Sequence, residues 1–248
     1  MGASAWRGIS KPLRWGRAVI DDLAPTTRAI ALQQDGAANW SPDDAASYCW
    51  RCGATAGPGA VTTRGCPHCF GQKPAWDRLT RLGAYQAPLS DWIIAMKFVQ
   101  DWSWAIWFGD ELAQRIKPTG PSAAPAAVCP VPMHLWRRWR RGYNQADLMA
   151  QAFARRLRLP MLPLLRRSRL TPPQTRIAPS HRPANVRDSF AAPRYDLAGW
   201  TIWLVDDVKT SGSTVAACAK LLRQRGAAHI HVAVAAVADP KHADFKTL

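Results

Sequence analysis

Hydrophobic spacing divides the chain into three kinds of stretch. From residue 126 onward, apolar runs alternate with amphipathic segments. Residues 126–131, 161–165, 201–205 and 229–238 are short apolar runs of strand length. Between them, residues 144–157 place Met149, Phe153 and Leu157 on one helical face. Residues 213–225 do the same with Val215, Cys218, Ala219 and Leu222, and Gly226 follows as a C-terminal cap. Strand alternating with helix predicts a mostly parallel sheet with crossover helices. Residues 78–117 read as helical throughout. Leu89, Trp92, Ile93 and Met96 fall at i, i+3, i+4 and i+7, and Trp104, Phe108, Leu112 and Ile116 recur every four. Residues 118–125 are a Pro/Gly/Ala connection, and residues 171–187, with four prolines and no sustained period, are a long loop. There is no internal repeat.

The N-terminal part is patterned differently. In residues 1–47, Trp6, Ile9, Leu13 and Ile20 have roughly helical spacing among basic residues, interrupted by Pro12. A peripheral tail, a short helix capping the core and a basic amphipathic segment for membrane or nucleic acid are the readings of that pattern. Residues 48–77 are rich in Gly and Pro and have few apolar residues with which to build a core.

Six cysteines alter the reading of 48–77. Cys49 and Cys52, then Cys66 and Cys69, form two CxxC knuckles with 13 residues between them. Two thiolates from each knuckle complete a tetrahedral four-sulfur site, which suits zinc and leaves no open coordination position. Such a zinc is structural, and it substitutes for the missing core. A dithiol redox pair or unconnected cysteines are the alternatives. Cys129 and Cys218 sit in apolar contexts and read as core thiols. The expected layout is therefore an N-terminal extension (1–47), a four-cysteine zinc-ribbon-like module (48–77) and an α/β domain (78–248).

Charge bears on partners. The chain of 248 residues has 33 basic and 17 acidic side chains, a net charge of +16. That excess favours polyanions such as nucleic acid or phosphorylated substrates, unless it is merely Arg-rich composition. Of the 13 tryptophans, Trp200 and Trp203 flank or lie within the 201–205 strand, and two further sets stand out. Trp92, Trp104 and Trp107 have helical spacing and should pack. Trp136 and Trp139 alternate with Arg137, Arg138, Arg140 and Arg141. That interleaving either stacks the bases of a single strand or packs tryptophans inward and arginines outward. The longest clean apolar run, 232–238, falls well short of the roughly 20 residues that span a bilayer. The expected location is the cytoplasm.

The sharpest chemistry lies at 201–214. An apolar strand ends in Asp206 and Asp207, and a hydroxyl-rich loop, Thr210, Ser211, Gly212, Ser213 and Thr214, leads into the helix. Carboxylates at a strand's carboxyl end can accept hydrogen bonds from vicinal hydroxyls or help hold a divalent cation. Free N–H groups at a helix start favour a phosphate. Ordinary helix capping by Ser213 or Thr214 is the plainer alternative.

That segment resembles the phosphoribosyl-diphosphate (PRPP) motif of type I phosphoribosyltransferases. The resemblance implies that Asp206 and Asp207 contact ribose hydroxyls, while the segment Lys209, Thr210, Ser211, Gly212, Ser213 and Thr214 holds the 5′-phosphate. Further segments resemble the ComF/GntX family: Val131-Pro132-Met133-His134, Arg140-Arg141-Gly142-Tyr143-Asn144-Gln145, Thr171-Pro172-Pro173-Gln174-Thr175, and the run from Arg182 to Phe190. The resemblance spans roughly residues 48–240. It implies a type I phosphoribosyltransferase-like parallel sheet flanked by helices and preceded by the zinc ribbon. Val131 and Pro132 would lie near the diphosphate, with Arg140, Arg141, Tyr143, Asn144 and Gln145 in the same cleft; the alternative is a solvated basic face at 137–141 with Asn144 capping its helix. The loop 171–187 would be a mobile cover. The implied ligand is Mg²⁺-PRPP or a related nucleotide. The implied setting is DNA uptake in natural competence, with single-stranded DNA and DNA-processing proteins as partners. Whether the site turns PRPP over or only binds it is open at this level. A non-catalytic single-strand binder on the same scaffold is the second reading.

Overall fold

A computed structural model describes residues 40–99, 101–116, 124–133, 141–167, 190–192 and 195–238. Four strands form one parallel sheet in the order β1-β6-β5-β2: β1 (Arg78–Ala84), β2 (Ala126–Pro130), β5 (Thr201–Lys209) and β6 (His229–Val237). Two short antiparallel strands, β3 (Arg166–Arg167) and β4 (Phe190–Ala191), pair beside it. The helices are α1 (Leu89–Ile94), α2 (Ser103–Gln114), α3 (Gln145–Leu157) and α4 (Ser213–Gln224). Between α1 and α2 the backbone adopts a π-helical turn, Ala95–Val99.

Side-chain alternation along the strands makes two cores. Trp203 and Val205 face α2 and α3, whereas Ile202 and Leu204 face α4 and the β3–β4 pair. Trp92, Trp104 and Trp107 do pack, joined by Trp40 and Phe108; the rings of Trp92 and Trp104 stack at 4.8 Å. Helices α2 and α3 touch at Gly109, where a Cβ would lie 2.2 Å from the Met149 carbonyl oxygen. No larger residue allows that approach.

Three expectations need correction. Residues 78–84 are a strand, not the start of a helix, and helix begins only at Leu89. The apolar run 161–165 has one bridge, Met161 to Val128, and the regular pairing starts at Arg166. Strand β5 does not stop at Val205 but continues through Lys209, because β6 pairs with it that far. Residues 1–39, the loop 171–187, Trp136 and Trp139, and Arg137, Arg138 and Arg140 lie outside the described residues.

Candidate functional site

The sheet itself opens the site. Strand β2 pairs with β5 only as far as Pro130 opposite Val205. The Val131 N–H then makes one more bond to the Val205 carbonyl at 2.8 Å, and the chain turns away. Strand β5 continues, so Asp206 and Asp207 stand beside a gap where β2 has ended. Pro132 has no N–H to extend the ladder. This is the crevice outside the strand ends in which open α/β sheets bind ligands.

Both acids are partly buried. The backbone N–H of Asp207 donates to Asp206 Oδ1 at 2.9 Å, and that of Val208 donates to Asp207 Oδ1 at 2.6 Å. Burial, reinforced by the adjacent Asp207 charge, pushes the Asp206 carboxyl up to about 8. Asp207 has a cation from a distant part of the chain: Lys97 Nζ, from the π turn, lies 3.0 Å from its Oδ2. The one clue in the sequence is a lone lysine inside the apolar run Ile93, Ile94, Met96, Phe98 and Val99. Tyr85, just past β1, is also near; burial and then the charges of Asp207 and Asp91 push its hydroxyl up.

Beyond Lys209 the chain makes the expected loop. Thr210 and Ser211 are exposed, and Gly212 takes φ +78°, a left-handed conformation that suits glycine. Gly212 is itself the N-cap of α4 and brings no side chain to cap it. The Ser211 hydroxyl accepts from the Ser213 N–H at 3.4 Å and lies 3.1 Å from the Ser213 hydroxyl. The plainer reading, capping by Ser213 or Thr214, is therefore not what the helix uses.

The Arg141–Gln145 motif adjoins the same gap. Asn144 caps α3 through the Ala146 N–H and donates from Nδ2 to the Val131 carbonyl and to Asp147. Tyr143 donates its hydroxyl to the Met96 carbonyl. Arg141 lies 5.0 Å over the Phe98 ring. The π turn thus links the motif to the acid pair, which its sequence position did not suggest. Gln145 is fully buried.

The four cysteines converge. Sulfur–sulfur distances are 3.8 Å (Cys49–Cys69), 3.6 Å (Cys52–Cys66) and 3.9 Å (Cys66–Cys69). Four thiolates about 2.3 Å from one ion are separated by roughly 3.8 Å. The cluster could hold a metal ion such as zinc, and its own core is small: Cys49, Ala54, Cys66 and Cys69. Burial opposes ionisation of Cys49, but backbone N–H groups of Cys52, Arg51 and Cys66 outweigh it and bring the thiol down to about 7. Cys129 and Cys218 are core thiols, pushed up by burial. The module docks onto the sheet domain. Trp76 donates from Nε1 to the Arg51 carbonyl at 2.8 Å, and its ring lies where a Cβ on Gly212 would come within 3.3 Å. A cleft of about 240 Å³ separates the two parts, bordered by Lys73, Trp76, Lys209, Ser211, Ser213 and Lys220.

Fold and site define a parallel α/β protein with an acid pair, a hydroxyl loop at a helix start and a four-cysteine module. Competence protein F of Haemophilus influenzae is 35 % identical over 195 residues, covering 75 % of this chain and 82 % of that protein. DNA utilization protein YhgH of Escherichia coli K12 is 32 % identical over 190 residues, with the same coverage, and that of Salmonella typhimurium is 33 % identical. The chain belongs to the competence protein F family. No protein-family model matches it. Among solved structures, the glutamine PRPP amidotransferase of B. subtilis is similar at a TM-score of 0.37 and 21 % identity, covering 52 % of this chain and 25 % of that one. Among the described residues, no helix is long and apolar enough to cross a membrane.

Proposed function

We propose that the protein binds Mg²⁺-PRPP, or a closely related phosphorylated ribose, and serves DNA uptake or processing in natural competence. The observation that supports this most is the glycine-capped start of α4, lined by the Ser211 and Ser213 hydroxyls and reached shortly after the acid pair. The loop N–H groups and hydroxyls take the 5′-phosphate, and the α4 dipole favours its charge. Asp206 and Asp207 accept from the ribose hydroxyls. Val131 and Pro132 border the diphosphate, with Arg141 as its candidate guanidinium partner. Mg²⁺ arrives with the ligand. Zinc on Cys49, Cys52, Cys66 and Cys69 is structural: it supplies cross-linking to a module with little core and no chemistry to the ligand.

Calorimetry on zinc-loaded protein tests the reading. Saturable PRPP binding that requires Mg²⁺ and disappears in Asp206→Asn/Asp207→Asn is expected. Absence of PRPP binding by folded wild-type protein overturns it. Pyrophosphate release with candidate bases then separates turnover from binding.

The relatives' names and the net charge of +16 favour a second activity, binding of single-stranded DNA. Fluorescence anisotropy with a labelled oligonucleotide should give an affinity that falls linearly with salt on logarithmic axes. Replacing Arg137, Arg138, Arg140 and Arg141 together should flatten that slope. Binding absent even at low salt removes this reading.

A further inference from the structure

Lys97 is a half-buried cation placed on one member of an acid pair. Its side chain is 12 % exposed and that of Asp207 16 %, with 3.0 Å between Nζ and Oδ2. Desolvating an ammonium costs several kcal/mol unless a partner compensates, so the pairing explains why Lys97 can stay folded inward. It does not explain why a lysine is there at all. An apolar side chain at 97 would continue the run around it, and the acids would then face the ligand alone.

The contacts of the π turn show which side of the site Lys97 serves. Its neighbours Met96 and Phe98 are held by Tyr143 and Arg141. The next residue of that motif, Asn144, reaches the Val131 carbonyl. The π turn is thus fastened to the elements that begin where β2 ends. The 210–214 loop has a different neighbour, the Trp76 ring of the cysteine module beside Gly212. A sugar with its 5′-phosphate in the loop and its hydroxyls on the acids has one end left. That end is the anomeric carbon and whatever anion it bears. Single π turns inside helical segments are frequent at functional sites.

We propose that Lys97 binds the anionic group on the anomeric carbon. In the free protein its ammonium rests on Asp207. When ribose hydroxyls take the carboxylate, the ammonium passes to a diphosphate oxygen. A four-carbon stem with rotatable donors makes that move without shifting the backbone. The acid pair therefore keeps a counter-charge before binding, and the diphosphate gains one after it. This assignment rests on the phosphoribosyl reading above.

The test compares two ligands that share the 5′-phosphate and hydroxyls. PRPP carries the diphosphate; ribose 5-phosphate does not. Calorimetry at fixed Mg²⁺ is run on wild type, Lys97→Met and Lys97→Arg, with zinc content and thermal melting measured for each. Lys97→Met should weaken PRPP by about tenfold or more, the scale of one lost charge-assisted hydrogen bond, and change ribose 5-phosphate less than about twofold. Lys97→Arg should show a smaller drop in the ratio of the two affinities, and it carries the test if the methionine variant does not melt cooperatively. Equal weakening of both ligands, which marks Lys97 as a support for the acid pair, overturns the proposal, and so does no change in either. A wild type that binds neither ligand overturns the phosphoribosyl reading and the Lys97 assignment with it. A wild type that binds both isolates a failure to Lys97.

Discussion

At the scale of single residues, Asp206 is held against its own preference. Its carboxyl titrates at about 8, because burial and the Asp207 charge both disfavour ionisation, whereas an unfolded Asp titrates at about 4. The folded state thus holds this proton more tightly than the unfolded one. The group favours folding at low pH, loses that contribution as pH rises from about 4 through about 8, and opposes folding fully above. Asp206→Asn should therefore match wild type in thermal melts at pH 4 and melt higher than wild type at pH 9, while ligand binding falls. Equal melting temperatures at pH 9 would show that Asp206 is not strained. Arg81 shows why a single residue can mislead. It is 1 % exposed, donates to the Gly53 carbonyl and to Thr55 Oγ1, and pairs with Asp43 at 2.6 Å. A strand with a buried arginine at its centre carries no apolar signature, so 78–84 merged with the helical pattern after it. Lys97 was hidden for a related reason: its carboxylate partner lies far along the chain, and local spacing records only local neighbours.

At the scale of elements, the legible parts were those whose periodicity serves one packing face. Helix α4, β5 and β6 were evident because Val215, Cys218, Ala219 and Leu222 all meet the sheet. The end of β5 was not evident. Asp206 to Lys209 are polar or mixed, and what keeps them extended is pairing with β6, a tertiary effect that overrides composition. The α2–α3 contact was equally hidden, since a glycine inside a helical pattern reads only as weak propensity. Gly109→Ala should force the two helices apart and cost about 3 kcal/mol, the upper end for an overpacked core. Urea denaturation measures it, and a midpoint unchanged from wild type would mean that the helices separate freely.

At the scale of the whole molecule, the cysteine module and the 210–214 loop form two walls of one cleft. Trp76 spans them, bonded to Arg51 on one side and packed on Gly212 on the other. Chelating the ion from zinc-loaded protein should unfold the knuckles and withdraw that support. The expected result is weaker PRPP binding together with a lower melting temperature, followed by calorimetry and circular dichroism and reversed by added zinc. Binding that is indifferent to the chelator would leave the module without a part in the ligand site.

The pairing of β1 with β6 also governs the order in which the chain can assemble. Asp77, at the head of β1, accepts from the backbone N–H of Ile230, 153 positions later. During synthesis β1 precedes its sheet neighbour β6 by about that interval and waits for it. The knuckles just before β1 need only their own four sulfurs and an ion, so they can close first. Leu79 bonds to Trp50 and Arg81 to Gly53, which lets the closed knuckles shield the waiting strand. The cysteine module is thus a cover as much as a staple, guarding the edge of β1 until β6 arrives to pair with it.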